Sequence, residues 1–333
     1  MNTIFKRFKD YNLVCLTVLG KKYGSGHYYR CKELIKSNYN KNFIFLIENS
    51  FKDKNVINLE RFDIDIIFNQ IKSTGLIKKK IAFIIDLSNS HFFRKNNINK
   101  IDILIHNLLK FNIKTIIIDS LNDENLFLKI KNPIDSLIIP YITNNKKKYI
   151  NYKKCKNFYI SHKYFLLNKY LKKINRNKNI NFKNDTCLIS MGGSADNIYG
   201  YYLGKQLAKE NENIIFYVFI KSDLVKKIKL NNSLKNLKIM QFSNLFYFYL
   251  SKCNILISNS GLTKYEASYL YKPVIRIYMN KTQKNLDKYF YKINKTKSFM
   301  YKDKQKMFKY FKNLIGQALK MNKIKKNLIE SFR

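Results

Sequence analysis

The chain has 333 residues, of which 46% are apolar. This is enough for two domains with sizeable buried cores, and it excludes a chain that is disordered throughout. The formal net charge is +42, from 64 basic and 22 acidic residues, and no apolar run approaches the roughly 18 residues that a membrane-spanning helix needs.

In the first half of the chain, short and nearly continuous apolar runs predict four strands that are buried on both faces. Helical spacing predicts three helices among them. The strands are predicted at 12–19, 42–48, 81–86 and 114–120, and the helices at 27–37, 63–72 and 98–112.

The second half repeats this alternation of strand and helix. Its strands are predicted at 186–190, 214–220, 237–242, 254–258 and 274–278, and its helices at 197–210, 244–252, 262–271, 283–292 and 303–330.

Alternating strands and helices indicate doubly wound α/β domains built on parallel sheets. The segment 169–185 is polar and charged, and we interpret it as a linker. We therefore predict two Rossmann-like domains, an N-terminal one over 1–168 and a C-terminal one over 186–333.

The five cysteines are scattered, and their odd number and the lack of a CxxC pair favour neither a disulfide framework nor a zinc site. The first 20 residues lack a small-residue cleavage site, and we interpret them as leading into the first strand rather than as a signal peptide. We expect a cytoplasmic monomer that uses no metal and no cofactor.

The basic residues are spread along the whole chain, with only short runs at 78–80 and 146–148. A nucleic acid or an anionic membrane surface would be attracted by such charge. No zinc-finger, RNA-recognition or helix-turn-helix signature accompanies it, however. We expect the positive charge to reflect a bias in composition, and we expect no specific nucleic-acid partner. Peripheral contact with a membrane surface stays an open alternative.

Glycine is concentrated at three predicted strand-to-helix turns, which hold five of the ten glycines of the chain. Such turns lie at the carboxyl edge of a parallel sheet, where α/β proteins bind their ligands. A helix N-terminus offers free N–H groups and a partial positive charge that suit a phosphate. The glycines concerned are Gly24, Gly26, Gly192, Gly193 and Gly261.

In the first turn, His27 begins a predicted helix directly after Gly26, and Arg30 follows one turn later on the same face. Two interpretations of His27 stay open: a packed or capping histidine, and a general base. A helix N-terminus disfavours a second positive charge, which leaves a neutral imidazole able to accept a proton. Arg30 is a candidate for binding a substrate phosphate, the alternative being a solvated side chain.

The second and third turns offer polar groups to a nucleotide. Ser194 and its neighbouring amides are candidates for a phosphate cradle, and Ser260 and Thr263 stand at the start of a later helix. Glu266, one turn inside that helix, is either a first-turn acid favoured by the helix dipole or the residue that binds the two hydroxyls of a ribose.

Three motifs together resemble one protein family across most of the chain. They are G-x-G-H-x-x-R after the first strand, GGS at the opening of the second half, and S-G-L-T-x-Y-E-A before K-P-V-I. The family contains the UDP-sugar hydrolase of pseudaminic acid biosynthesis and the related spore-coat polysaccharide nucleotide-sugar proteins. It is similar in fold to the GT-B glycosyltransferases, including the peptidoglycan N-acetylglucosaminyl transferase. The resemblance implies two Rossmann-like domains whose parallel sheets face each other across a cleft.

The resemblance also implies roles for individual residues. His27 matches the histidine held to be the base of the hydrolase, with Gly24, Gly26 and Arg30 beside it on the substrate side. The nucleotide would bind to the second domain. The residues implied there are Gly192, Gly193 and Ser194 along the phosphates, Ser260, Gly261, Leu262 and Thr263 over the diphosphate, Glu266 at the ribose and Gln283 near the sugar.

The resemblance therefore implies metal-independent hydrolysis of a UDP-sugar of the UDP-2,4-diacetamido-2,4,6-trideoxy-hexose type at its anomeric carbon. UDP would be released, and the configuration at the anomeric carbon would be inverted. The reaction would belong to the biosynthesis of a nonulosonic acid or a surface polysaccharide. The first alternative is a GT-B glycosyltransferase that uses a UDP-sugar donor, in which His27 deprotonates an acceptor hydroxyl instead of water. A more distant alternative is a non-catalytic basic protein that binds nucleic acid or a membrane surface.

Overall fold

The computed structural model divides the chain into two compact units, Met1–Leu166 and Leu167–Arg333. Each is an α/β unit with its own core. The residues that the structure describes are 7–19, 26–36, 42–47, 53–87, 98–119, 129–142, 152–165, 167, 169–174, 182–183, 185–191, 197–220, 225, 228, 233–279 and 281–332.

The first unit is built on a sheet of seven described strands, all parallel, in the order β3-β2-β1-β4-β5-β6-β7. Its strands are β1 Asn12–Val18, β2 Phe43–Ile47, β3 Val56–Leu59, β4 Ile81–Asp86, β5 Lys114–Ile118, β6 Ile134–Ile139 and β7 Cys155–Ile160. Its α-helices are α1 Gly26–Lys36, α2 Ile64–Ser73 and α3 Ile98–Lys110, with 3-10 turns at Leu76–Lys78 and His162–Tyr164.

The second unit has a sheet of six described strands, again all parallel, in the order β10-β9-β8-β11-β12-β13. Its strands are β8 Thr186–Ser190, β9 Ile215–Ile220, β10 Leu237–Gln241, β11 Ile255–Asn259, β12 Val274–Tyr278 and β13 Ser298–Met300. Its helices are α4 Lys169–Lys173, α5 Asn197–Glu210, α6 Leu245–Lys252, α7 Thr263–Tyr269, α8 Lys281–Asn294, α9 Lys304–Ile315 and α10 Ala318–Phe332, with a 3-10 turn at Tyr301–Asp303.

These orders confirm the predicted α/β architecture. Burial explains why the central strands were predictable: all seven residues of β1 and all six of β4 are buried, as expected for strands covered on both faces. Helix α1 packs on this sheet through Tyr28, Cys31 and Leu34, which recur at helical spacing and are all buried.

Both sheets reverse their strand order at one place, between β1 and β4 in the first unit and between β8 and β11 in the second. The carboxyl edge at such a reversal is where open α/β sheets bind ligands. No described helix is long and apolar enough to cross a membrane.

Four described strands were not predicted: β3, β6, β7 and β13. Three of them are edge strands and short or polar, so they lack the continuous apolar run of a central strand. In β6, Asp135 and Ser136 interrupt the apolar run. The single last helix predicted over 303–330 is two helices, because the chain turns at Gly316 between α9 and α10.

Gly204 is expected to be the least replaceable glycine of α5. A methyl group there would lie 2.6 Å from Val218 of β9 and 3.3 Å from Ile189 of β8. We expect Gly204→Ala to lower the free energy of unfolding by about 1–3 kcal/mol, because this overpacking outweighs the better helix propensity of alanine. Urea denaturation measures the change.

Gly200→Ala in the same helix is the control. Its methyl group would meet the flexible Met191 side chain at 3.1 Å, and we expect a change of less than about 1 kcal/mol. Equal effects of the two variants would show that α5 does not depend on close packing at Gly204.

Candidate functional site

A histidine and an aspartate meet at the carboxyl edge of the first sheet. His27 is the second residue of α1, and Asp86 is the last residue of β4. Its Nδ1 lies 2.8 Å from Oδ1 of Asp86. Parallel pairing of β1 with β4 places Asp86 beside Thr17, near the end of β1, so the aspartate lies at the carboxyl edge of the sheet. Both side chains are buried, with 5% of His27 and none of Asp86 exposed.

The contacts of Nδ1 fix the tautomer of His27. An ionised carboxylate only accepts hydrogen bonds, so Nδ1 carries the proton and donates it to Asp86. Nη2 of Arg30 also lies 3.0 Å from Nδ1, but a guanidinium is a donor and directs its hydrogen to Asp86 Oδ1, at 2.8 Å. The lone pair of the neutral imidazole is therefore on Nε2, the atom that accepts a proton in a histidine base.

Arg30 holds the aspartate in its ionised form. Its Nε donates to Oδ2 of Asp86 at 2.6 Å, and its Nη2 donates to Oδ1. Burial raises the pKa of Asp86, but the charges of Arg30 and His27 and their hydrogen bonds outweigh burial and bring the pKa below its ordinary value. Arg30 is buried, so the interpretation of its side chain as solvated is wrong.

A second buried carboxylate lies at the same edge of the first sheet. Asp119 directly follows β5, the neighbour of β4, and its Oδ2 accepts a hydrogen bond of 3.3 Å from the hydroxyl of Tyr141. Only 2% of Asp119 is exposed. The ends of β4 and β5 thus bring two aspartates to the edge at which α1 begins.

In the second unit, one asparagine at the end of β11 bonds to the residue that directly follows β8. Nδ2 of Asn259 donates to the carbonyl oxygen of Met191 at 2.7 Å, and Oδ1 accepts from the amide of Gly261 at 3.3 Å. A methyl group on Gly261 would lie 3.0 Å from Oδ1 of Asn259. The chain after β11 is therefore held against the end of β8, at the strand-order reversal of this sheet.

Ser260 is buried and its hydroxyl donates to Asp287 of α8. Leu262 and Thr263 follow at the start of α7 and are both partly exposed. Four residues of the other two predicted turns lie outside the described residues: Gly24, Gly192, Gly193 and Ser194. Gly26 is the first residue of α1.

Glu266 lies in the first turn of α7, where its Oε1 accepts a hydrogen bond of 3.4 Å from the hydroxyl of Tyr247 in α6. Burial raises the pKa of Glu266 from 4.5 to about 7, and the hydrogen bond from Tyr247 opposes only part of that rise. A carboxyl group of this kind is stabilised in its ionised form by further hydrogen-bond donors, such as the hydroxyls of a ribose.

Gln283 lies in the first turn of α8, and its Oε1 accepts a hydrogen bond of 2.7 Å from the amide of Met279. Its carboxamide thereby fixes the turn that connects β12 to α8. Among the described residues, no three His, Cys, Asp or Glu side chains come together as a metal site would require.

Asp86, Asp119 and Asn259 were not predicted as site residues from the sequence. Each is a polar residue at the carboxyl end of an otherwise apolar strand, in the runs IAFIID, TIIID and ILISN. That position is the one signal that marks them, because such residues lie at the ligand-binding edge of a parallel sheet.

No protein-family model matches the sequence, and no curated protein matches it significantly. Solved structures do match the fold. MurG of Acinetobacter baumannii superposes with a TM-score of 0.61 at 11% identity, over 95% of this chain and 94% of that protein. The fold is GT-B-like.

Two further structures share this fold over nearly the whole chain. The spinosyn rhamnosyltransferase SpnG, complexed with thymidine diphosphate, has a TM-score of 0.59 at 9% identity, over 96% of each chain. The UDP-GlcNAc 2-epimerase of Neisseria meningitidis, bound to UDP-GlcNAc, has a TM-score of 0.55 at 15% identity, over 94% of each chain.

Proposed function

We propose that this protein transfers a glycosyl group from a nucleoside diphosphate sugar to a hydroxyl group, with His27 as the base. The observation that carries the proposal is the buried hydrogen bond from Nδ1 of His27 to Asp86 at the carboxyl edge of the first sheet. A histidine oriented by a carboxylate in this way is the arrangement that activates hydroxyl nucleophiles in many enzymes.

The reaction needs one proton acceptor and one stabilised leaving group. Nε2 of His27 takes the proton of the attacking hydroxyl as its oxygen bonds to the anomeric carbon. The bond from that carbon to the diphosphate oxygen breaks, and its electron pair leaves with the nucleoside diphosphate. Asp86 stabilises the imidazolium that forms, and Arg30 keeps Asp86 ionised. A positioned base contributes about 10²–10⁴-fold to the rate.

The second unit is proposed to bind the nucleotide. Glu266 would accept hydrogen bonds from the ribose hydroxyls, and the turn from Ser260 to Thr263 would bind the diphosphate, together with Gly192, Gly193 and Ser194. We propose that Gln283 acts near the sugar. In this assignment the role of Arg30 is to position Asp86, to which its Nε and Nη2 donate.

The structural neighbours support a nucleotide-sugar substrate: one is a rhamnosyltransferase with thymidine diphosphate and one an epimerase with UDP-GlcNAc. Glycosyl transfer is favoured over hydrolysis by the rhamnosyltransferase, which matches over 96% of the chain. Hydrolysis of a UDP-sugar, with water in place of the acceptor, is the second candidate, because the motif G-x-G-H-x-x-R resembles that of a UDP-sugar hydrolase.

The test is release of the nucleotide from a panel of UDP- and TDP-sugars, each incubated with and without a mixture of sugar and glycolipid acceptors. Glycosyl transfer predicts release that depends on the acceptor and a product with a new glycosidic bond. Release without acceptor, together with a free reducing sugar, would establish hydrolysis instead. No release in either arm would contradict both candidates.

We expect Glu266→Gln to weaken UDP binding about 10- to 100-fold, because charged hydrogen bonds to the ribose are lost. In the wild type, ribose hydroxyls favour the ionised carboxylate. UDP affinity should therefore rise with pH through about 7, and binding below that pH should release a proton. Calorimetry in two buffers of different ionisation enthalpy measures both quantities.

Glu210→Gln, at an exposed glutamate that ends α5, is the matched control and should leave UDP affinity and its pH dependence unchanged. Wild-type affinity in Glu266→Gln would remove Glu266 from the ribose site.

A further inference from the structure

Three charged side chains are buried together in the second unit. Lys264 of α7, Arg276 of β12 and Asp287 of α8 each have only 1% of the side chain exposed. Nζ of Lys264 lies 2.9 Å from Oδ1 of Asp287, and Nε of Arg276 lies 3.4 Å from the same oxygen. We call these three residues the buried charge cluster.

An aromatic ring closes one side of this cluster. The Phe290 ring centroid lies 5.1 Å from Nζ of Lys264 and 5.0 Å from Cζ of Arg276. The remaining described hydrogen bonds of Arg276 go to Val274 and Thr296, which are neutral. Outside the cluster, the side chains of Tyr265, Tyr291 and Tyr310 contribute to the electrostatic environment of Arg276.

The cluster therefore carries more positive than negative charge. Among the described residues, two basic side chains face one carboxylate, which is a formal net charge of +1 out of contact with water. Burial lowers the pKa of Lys264, and the charge of Asp287 and its hydrogen bond oppose part of that fall. A buried ion pair of this kind gives little stability compared with apolar residues of the same size, and an excess buried charge costs more. Its field is also poorly screened by salt.

The cluster is bonded directly to the turn that precedes α7. Asp287 accepts a hydrogen bond from the hydroxyl of Ser260, and Nζ of Lys264 donates to the carbonyl oxygen of Ser260 at 3.2 Å. The excess positive charge is thus anchored at the first residue of the turn to which we assign the diphosphate.

We propose that the buried charge cluster provides a long-range electrostatic attraction for the diphosphate of the nucleotide. The diphosphate binds at the turn from Ser260 to Thr263, which we call the Ser260 turn. The proposal rests on the proposed function and deepens it. Two oppositely charged groups interact strongly in a medium of low effective dielectric constant even without contact. Removing one cation from the cluster should therefore weaken binding of the diphosphate, and removing the carboxylate should strengthen it.

The test compares UDP with uridine, because only UDP carries the diphosphate. We expect Lys264→Met to weaken UDP binding about tenfold, on the order expected for one unit charge near the site, with uridine affinity unchanged. Asp287→Asn should strengthen UDP binding and again leave uridine unchanged. The double variant Lys264→Met/Asp287→Leu keeps the net charge through Arg276 and should bind UDP as the wild type does. Calorimetry measures each dissociation constant.

A purely structural role predicts a different pattern, in which both single variants lose UDP affinity or in which UDP and uridine change equally. Either result would overturn the inference while leaving the proposed function standing. A wild type that binds TDP and not UDP is compared in the same way with TDP and thymidine, and one that binds neither diphosphate would overturn the proposed function and this inference with it. Should Lys264→Met fail to fold, Arg276→Met removes the same charge from the other side of Asp287, and the same loss of UDP affinity with unchanged uridine affinity is expected.

Discussion

Replacing His27 with asparagine is expected to reduce turnover about 100-fold or more while UDP affinity stays near that of the wild type. The asparagine amide can donate to Asp86 as Nδ1 of His27 does, so the buried aspartate keeps this partner. Asparagine has no group that accepts a proton near neutral pH. The variant thus removes the base and preserves the hydrogen bond.

Nucleotide release from the substrate found in the panel measures the turnover, and calorimetry measures UDP binding. Thermal unfolding serves as the folding control. A His27→Asn protein that retains most of its turnover would support the alternative interpretation, in which His27 is a packed histidine and not a base. Loss of UDP binding in that variant would contradict the assignment of the nucleotide to the second unit.

Asp86→Asn is expected to have the largest effect on stability, about 3–5 kcal/mol lower free energy of unfolding at pH 7. Asp86 is fully buried and is the described carboxylate that faces Arg30, so the change leaves a buried guanidinium without its counter-charge. Turnover should also fall about 100-fold or more, because an asparagine no longer enforces the Nδ1–H tautomer of His27.

The stability effect has a defined pH dependence. The pKa of Asp86 in the folded protein lies below its ordinary value of 3.8. Its stabilisation is therefore complete above pH 3.8 and is lost as the pH falls through the folded-state pKa. Urea denaturation at pH 7 and at pH 3 should show a smaller difference between wild type and variant at the lower pH.

Asp53→Asn is the matched control for Asp86→Asn. Asp53 forms an ion pair of 2.7 Å with Lys32, but both side chains are 23% exposed, so this change should cost no more than about 1 kcal/mol. Equal losses in the free energy of unfolding in the two variants would show that burial does not increase the contribution of the Asp86–Arg30 ion pair to stability.

Much of the fold could be predicted because its central strands are continuous apolar runs. Such runs are typical of strands covered on both faces, and every predicted strand is present. The edge strands β3, β7 and β13 could not be predicted. Their sequences are short or polar, and these segments form strands because each pairs with one neighbouring strand. That pairing is a tertiary contact, which a local pattern does not show.

The candidate site was half predictable. His27 stands out because GSGH follows a strand and opens a helix, but its partner Asp86 is 59 residues away in the chain. Only the pairing of β1 with β4 brings them together. Asn259 and Met191, 68 residues apart, meet in the same way, and local patterns contain no information on such pairings.

The buried charge cluster was hidden for a related reason. Lys264 and Asp287 stand among polar or charged neighbours in a chain with 64 basic residues, and Arg276 interrupts the apolar run VIRIY. Charged side chains ordinarily face solvent, so none of the three is marked as buried by its type. Their burial follows from the packing of α7 and α8 on β12.

Hydrogen exchange of the wild-type protein with and without saturating UDP tests the central claim most directly, namely that a nucleotide substrate binds to the second unit. We predict slower exchange in peptides that cover 259–266, where Asn259, the Ser260 turn and Glu266 lie, with the same protection in His27→Asn. Unchanged exchange across these peptides at saturating UDP, or protection confined to the first unit, would contradict the account.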